Sequence, residues 1–192
     1  IFPVHDGDYY IQGVKYRIDL GGKIDFTCFV KEEVETMCTP IAIVAPVDAS
    51  AEVDAVDFGI LTHLANLPAF YVSFWIRRDS AIAPDFYIVT KTVDEGAGRR
   101  GWQILTNADN KIYFGSYKTQ TDGEWVTTSA ALSSEDVWYH ICVTYENASD
   151  VANPVIYKSG TSVAVTENIA PSGSTDDDSD CPLILFNAAP DP

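Results

Sequence analysis

The stretch Phe70-Tyr-Val-Ser-Phe-Trp-Ile76 is the strongest structural signal in the sequence. Aromatic and β-branched residues suit the pleated surface of a sheet, and an unbroken apolar run of this length is typical of a strand buried on both faces. A second segment, Trp138-Tyr-His-Ile-Cys-Val-Thr-Tyr145, carries bulky residues on both of its alternating faces. Such a segment suits a central strand between two packed layers.

Shorter runs of the same kind surround these two segments. They are separated by turns rich in Gly, Asn, Asp and Ser, a spacing that is typical of an antiparallel sandwich or barrel. Gly160 lies where a tight turn requires a positive φ. The apolar pattern of residues 56–67 predicts one or two short helical turns, which end before Pro68. The remaining strand predictions are 86–90, 102–105, 111–117, 125–128, 155–157, 162–166 and 183–186.

The N-terminal region reads differently from the rest of the chain. Apolar residues alternate over 14–20 and again over 24–30, on either side of Gly21-Gly22. This pattern predicts a β-hairpin with a primed turn. We therefore predict that residues 1–50 form an N-terminal β arm, or the end of a preceding domain. Residues 51–192 are predicted to form the sandwich.

The two segments quoted first resemble strands of the laminin-G-like and pentraxin group, within the concanavalin A-like jelly rolls. Val155-Ile-Tyr-Lys-Ser-Gly160 is similar to the strand and turn that follow the tryptophan strand in that group, and Leu183-Ile-Leu-Phe-Asn187 is similar to a later strand. The order and spacing agree from about residue 57 to residue 187. The resemblance implies an all-β chain, folded as an antiparallel jelly-roll β-sandwich with the N-terminal hairpin as an arm.

The resemblance also implies two departures. Members of the group usually close the sandwich with one more strand, so we expect this sandwich to lack its last strand and to leave a sheet edge for the arm or another chain. Pentraxins pair a cysteine at the position of Cys142 with one in the early strand, where residues 72–74 offer no cysteine. The spacing of the cysteines predicts no zinc site and allows either two disulfides in three pairings or free buried thiols; the four are Cys28, Cys38, Cys142 and Cys181.

Charge and composition exclude several classes of partner. The chain has 12 Lys and Arg against 28 Asp and Glu, a net charge of −16. Nucleic acids and anionic membrane surfaces both require a basic face, so we predict neither as a partner. No stretch approaches the roughly 20 apolar residues that span a bilayer, which argues against membrane insertion. The hydrophobic fraction of 46% is ample for a packed core.

The densest acidic segment is a candidate calcium site. Carboxylate oxygens are the ligands that calcium prefers, and several occur here within five positions. The segment lacks the fixed spacing and glycine of an EF-hand loop, so a solvated surface loop is the alternative. The predicted calcium ligands are Asp176, Asp177, Asp178 and Asp180.

Aromatic and amide side chains near strand ends are candidates for sugar binding. Rings exposed at such positions stack on the CH groups of sugars, although four tryptophans in one sandwich also suit the core. The Asn107-Ala-Asp-Asn110 stretch is equally typical of a turn. The predicted ligand-binding residues are Trp125, Tyr113, Tyr117, Asn107 and Asp109.

Catalytic patterns are weak. Glu52-Val-Asp54-Ala-Val-Asp57 has the approximate spacing of a retaining glucanase strand, but it lies before the early strand of the sandwich. His140 and Cys142 share one face of their strand through alternation alone. No nucleophile elbow or phosphate-binding loop occurs in the sequence. We therefore predict that the chain is not an enzyme.

The functional prediction is a non-catalytic structural or recognition module. It would be exposed on a virus particle, as a phage capsid, tail or fibre protein, or on a cell-surface assembly. There the arm and the open sheet edge would join neighbouring subunits. A lectin-like glycan-binding domain, with or without calcium, is the alternative, and a glycosidase is a distant third. The predicted location is extracellular, where Asn147-Ala-Ser149 would be an N-glycosylation sequence in a eukaryotic secretory protein.

Overall fold

A computed structural model describes residues 24–28, 41–45, 55–78, 86–94 and 99–186. For 24–28 and 41–45 it gives the strand path. A single 3-10 turn, Thr62–Leu64, is the helical structure in these ranges, and no helix there is long enough to cross a membrane. The strands are β1 (Ile24–Cys28), β2 (Ile41–Ala45), β3 (Val56–Ile60), β4 (Phe70–Ile76), β5 (Phe86–Asp94), β6 (Arg99–Thr106), β7 (Ile112–Ser116), β8 (Gly123–Thr127), β9 (Tyr139–Tyr145), β10 (Val155–Lys158), β11 (Thr161–Val163), β12 (Val165–Ile169) and β13 (Pro182–Leu185).

The described strands form two antiparallel sheets. The six-stranded sheet has the order β11-β10-β9-β4-β1-β2, and the seven-stranded sheet has the order β12-β8-β7-β6-β5-β13-β3. The chain changes sheet between β2 and β3, between β3 and β4, between β4 and β5, between β8 and β9, and between β11 and β12. This arrangement confirms the predicted antiparallel β-sandwich.

The core lies between the two sheets and is rich in aromatic rings. Alternate residues of each strand point inward, among them Phe114 from β7, Trp125 from β8 and Tyr145 from β9. The centroid of the Tyr145 ring lies 4.9 Å from that of Phe114 and 5.4 Å from that of Trp125. Burial of one such side chain contributes about 1.5–3 kcal/mol, so this cluster is a major source of stability.

The two strands that dominate the sequence pattern are neighbours at the centre of the six-stranded sheet. β4 pairs with β9 along its whole length, from Phe70 opposite Tyr145 to Ile76 opposite Tyr139. The prediction that β4 is buried on both faces is wrong. Its inward residues include Phe74 and Ile76, while Tyr71 and Trp75 point outward and are exposed.

Three local predictions differ from the structure. Within residues 56–67, one helical turn is present as the 3-10 turn Thr62–Leu64, but residues 56–60 form β3, which pairs with β13. The run 162–166 is divided between β11 and β12, which belong to different sheets. The Gly-rich, charged composition of residues 93–101 predicts a loop, but residues 93–94 end β5 and residues 99–101 begin β6. The tight turn at Gly160 is confirmed by its φ of 84°.

The N-terminal region contributes two strands to the six-stranded sheet. β1 pairs with β4 on one side and with β2 on the other. The predicted strand over 24–30 is therefore present in part, but its partner is β2. Residues 14–20 lie outside the described residues, and the division of the chain at residue 50 stays a prediction.

The described cysteine side chains are free thiols. Cys142 lies on β9 and is half-buried, and Cys181 is buried just before β13. Burial raises the pKa of both thiols, that of Cys181 to about 11. Both are therefore protonated and unreactive near neutral pH. The side chains of Cys28 and Cys38 lie outside the described part of the chain.

Candidate functional site

Three of the predicted ligand-binding residues meet in the loop between β6 and β7. The Asn107 Nδ2 donates to the Tyr113 hydroxyl at 3.1 Å, and the Asn107 Oδ1 accepts the backbone N–H of Asp109 at 3.1 Å. The second contact is an Asx turn, through which an asparagine supports its own loop. The structure thus brings the three residues together as a turn, and a ligand role for them stays a prediction.

The other two predicted ligand-binding residues, Trp125 and Tyr117, lie inside the sandwich. Trp125 is 0% exposed, and its Nε1 donates to Asn153 Oδ1 at 2.7 Å and to Glu167 Oε2 at 3.2 Å. Tyr117 is also buried, and this burial raises the pKa of its hydroxyl. Stacking on a sugar requires an accessible ring face, which neither residue provides. The core alternative is the correct one for Trp125.

The acidic loop between β12 and β13 directs its carboxylates to separate partners. Asp178 is buried, and its Oδ1 lies 3.2 Å from Lys91 Nζ. Asp180 pairs with Arg100 at 3.0 Å. Asp177 accepts the Asn66 amide at 2.9 Å, and the hydrogen bonds from Asn66 and Ser179 lower the pKa of the Asp177 carboxyl to about 2. These carboxylates hold the loop onto the rest of the chain.

The predicted calcium role of this loop stays a prediction. Cation binding needs several oxygens that converge on one point. Here the partners of Asp178, Asp180 and Asp177 are Lys91, Arg100 and Asn66, in that order. Within the described residues, no group of three or more acidic, histidine or cysteine side chains is arranged to hold a metal ion. The solvated-loop alternative is incomplete, because Asp178 is buried against Lys91.

A shallow cleft of about 440 Å³ opens at the same end of the sandwich. Its walls come from the loops before β4, after β9 and before β13; they are Asn66, Leu67, Pro68, Ala148, Thr175 and Asp177. Behind Thr175, the buried Lys118 Nζ donates to Thr175 Oγ1 at 3.1 Å and to Asn147 Oδ1 at 3.3 Å. Desolvation lowers the pKa of this amine, against a smaller opposing effect of Asp150.

The same network makes Asn147 a structural residue. Its side chain is buried, accepts from Ser116 Oγ at 3.2 Å and donates to the Leu67 carbonyl at 3.3 Å. A glycan on Nδ2 would displace the loop that precedes β4. The folded chain therefore has no room for a modified Asn147.

A second candidate site lies on the outward side of the six-stranded sheet. Tyr71 is 50% exposed, Trp75 38% and Trp138 36%, and all three follow the outward alternation of β4 and β9. His140 lies opposite Trp75, with a distance of 5.2 Å between the ring centroids, and its Nε2 lies 2.7 Å from Ser73 Oγ. We call these five residues the aromatic face.

Most of the exposed aromatic residues in the described part of the chain belong to this face. Of the four such side chains there, three are on the aromatic face and the fourth, Phe58, lies on β3. Water-exposed indole and phenol rings in one contiguous patch are typical of a binding surface. The sequence alone does not predict the aromatic face, because a run such as Phe70–Ile76 does not reveal which of its faces is covered.

The family of the chain follows from residues 51–186. They match the family model of the concanavalin A-like lectin/glucanases superfamily. The chain belongs to this superfamily. The match covers the described sandwich from β3 to β13, and it agrees with the predicted resemblance.

Matches to individual proteins are weaker. No curated protein matches the chain in sequence. One similar solved structure is described by the words "Cell entry of botulinum neurotoxin type C is dependent upon interaction with two ganglioside molecules". It is 15% identical with a TM-score of 0.44, and the match covers 88% of this chain and 39% of that chain.

The superfamily name includes glucanases, which makes the candidate catalytic residues relevant. Glu52 and Asp54 lie outside the described residues. Asp57 is exposed, and its Oδ1 accepts the backbone N–H of Gly59 at 2.6 Å, which supports the bend of β3. His140 and Cys142 do share the outward face of β9, but burial raises the pKa of the thiol, whereas a nucleophile needs it lowered.

Proposed function

We infer that this concanavalin A-like sandwich is a non-catalytic recognition module that binds glycans on its aromatic face. The observation that carries the proposal is the concentration of exposed rings there: Tyr71, Trp75 and Trp138 lie on one side of one sheet. A location outside the cell, on a cell surface or a particle exterior, is part of the proposal. A module at such a location is in contact with the glycans of a host or of the environment.

The chemistry of the face suits a sugar. The face of an aromatic ring is electron-rich, so it attracts the polarised CH groups on one side of a pyranose. Beside the Trp75 ring, Ser73 and His140 supply groups that bond sugar hydroxyls. Tyr71 and Trp75 are four residues apart on β4, which separates them by about 13 Å at the rise of a strand. An extended oligosaccharide that runs along β4 spans both rings.

Replacing Trp75 with alanine is expected to weaken glycan binding about tenfold, because a central aromatic anchor contributes more than about 1 kcal/mol to an interface. The measurement is isothermal titration with glycans selected on an array. Phe58→Ala is the matched control, since Phe58 has the same 38% exposure but lies on β3 of the other sheet.

The control variant should bind as the parent does. Equal losses in the two variants would contradict the proposal, as would undiminished binding in Trp75→Ala. A chelator is expected to leave binding unchanged, because the carboxylates of the acidic loop already have protein partners. Hydrolysis of a bound glycan would overturn the non-catalytic part of the proposal.

Self-assembly through the sheet edge is a second candidate function. β2, with the sequence Ile41-Ala-Ile-Val-Ala45, pairs with β1 on one side, and within the described ranges no strand pairs on its other side. Such an apolar edge strand can add a strand from a neighbouring subunit. Sedimentation velocity over a wide range of concentrations tests this. We expect oligomers that Ile43→Lys disrupts, and a strictly monomeric chain would contradict the assembly proposal.

A further inference from the structure

Two nitrogen-bearing side chains, Arg77 and His140, alternate with the two tryptophans at one end of the aromatic face. Trp75 lies on β4 and Arg77 follows that strand, while Trp138 directly precedes β9 and His140 lies on it. The Arg77 Cζ lies 5.7 Å from the centre of the Trp138 ring, and His140 packs against Trp75. Each tryptophan therefore has a nitrogen-bearing group beside it. We call these four residues the quartet.

The charge of this face contrasts with that of the chain. The chain carries a net charge of −16, yet the outward residues of β4, β9, β10 and β11 include no Asp or Glu. Acidic residues are the commonest charged residues of this sequence, so their absence from the outward positions of these four strands favours an anionic ligand there. The outward residues are Tyr71, Ser73, Trp75, His140, Cys142, Thr144, Val155, Tyr157 and Ser162.

We propose that the quartet binds the carboxylate of an acidic sugar, so that the module prefers uronic-acid polysaccharides over their neutral counterparts. The inference rests on the proposed function and adds the class of ligand to it. The pyranose ring stacks on Trp75 or Trp138. Its carboxylate then lies within reach of Arg77. The planar guanidinium of Arg77 carries five N–H donors, so it can donate hydrogen bonds to a sugar carboxylate and to a protein partner at the same time.

His140 adds a second nitrogen-bearing group to this site. Its Nε2 is engaged with Ser73, and its Nδ1 has no hydrogen-bond partner among the described residues. Nδ1 is therefore the ring nitrogen that remains to hydrogen-bond a bound sugar.

The strand on the other side of β4 adds one acidic position. β1 pairs with β4 through Phe26 opposite Ile76, and Asp25 is the next residue of β1 in the direction of Arg77. The absence of acidic residues therefore applies to β4, β9, β10 and β11 and does not extend to the sequence of β1.

The test compares three polysaccharides with chemically neutralised forms of themselves. The probes are polygalacturonate, alginate and hyaluronan, each beside the same polymer with its carboxyls reduced to alcohols. The full chain is expected to bind at least one acid form about tenfold more tightly than its reduced partner at neutral pH.

Variants show which residues produce the preference for the acid form. Arg77→Gln should abolish the preference for the acid form, and Arg77→Lys should retain part of it. Trp75→Ala should weaken binding of acid and reduced forms alike. Circular dichroism and thermal melting show that each variant is folded.

The outcomes separate the two proposals. Equal binding of acid and reduced forms, lost in Trp75→Ala, would overturn the acidic-sugar inference and leave glycan recognition intact. Absence of binding to all six polymers would overturn the acidic-sugar inference. If the glycan array is also silent, the proposed function is lost as well.

Discussion

Replacing Asp178 with alanine is expected to lower the free energy of unfolding by about 3–5 kcal/mol. The side chain is 2% exposed and forms a 3.2 Å ion pair with Lys91 Nζ, which is 1% exposed. An ammonium group that loses its partner in the interior keeps the full cost of desolvation without the compensating attraction. The large expected loss of stability therefore comes from the charge of Lys91, which remains buried without Asp178, and not from the strength of the ion pair.

Urea unfolding provides the measurement, and Asp180→Ala is the matched control. Asp180 pairs with Arg100 at a similar distance of 3.0 Å, but the two side chains are 49% and 25% exposed. An ion pair in such contact with water contributes about 0–1 kcal/mol. The double variant Lys91→Met with Asp178→Leu should recover most of the loss, since an apolar pair removes the buried charge. Equal effects of Asp178→Ala and Asp180→Ala would contradict this account.

Asp178 also connects the stability of the chain to the end cleft. The backbone N–H of Asn66 donates to Asp178 Oδ1 at 2.6 Å, and the backbone N–H of Asp178 donates to Asn66 Oδ1 at 3.1 Å. This reciprocal pair fixes the acidic loop onto the loop that precedes β4. The cluster of aspartates therefore has a structural role, in which it connects two loops.

The strands are predictable because they depend on the alternation of side chains between two faces, and this alternation can be recognised in the sequence. The prediction for β4, residues 70–76, matches the observed strand, and the predictions for β9 and β10 lie within one residue of the observed ends. Long-range pairing is not predictable in the same way. β1 pairs with β2 and with β4. Such pairing depends on where distant segments pack, whereas the turn chemistry at Gly21-Gly22 is a local signal.

The candidate site is less predictable, because exposure is a property of the assembled sheets. Trp125 and Trp75 are the same residue type, and each lies in a strand. The first lies in the core and the second on the outward face, since β8 directs Trp125 toward Tyr145 and β4 directs Trp75 away from the core. The acidic loop shows the same limit. The sequence does not reveal that Asp178 contacts Lys91, which lies 87 residues away in the chain.

The segment between β5 and β6 shows how a glycine can be misinterpreted. Residues 93–101 have the composition of a loop, yet Gly101 lies inside β6, opposite Thr92 of β5. Its φ is 93°, a conformation that favours glycine, and a Cβ atom there would overlap the backbone carbonyl oxygen of Lys91. Gly101 is thus needed for the close approach of two strands, one of which carries the buried Lys91.

Replacing Gly101 with alanine is therefore expected to lower the free energy of unfolding by about 2–5 kcal/mol, through left-handed strain and a collision with the backbone. Gly160→Ala is the matched control, because Gly160 has a similar φ of 84° but no atom within 4 Å of the added Cβ. It should lose about 1–2 kcal/mol, from the strain alone. Urea unfolding measures the free energy of unfolding of both variants. Equal losses would show that β5 moves away from β6 without a loss of stability. A larger loss at Gly101 would establish that the spacing of these strands, and with it the position of Lys91 beneath the acidic loop, is rigid.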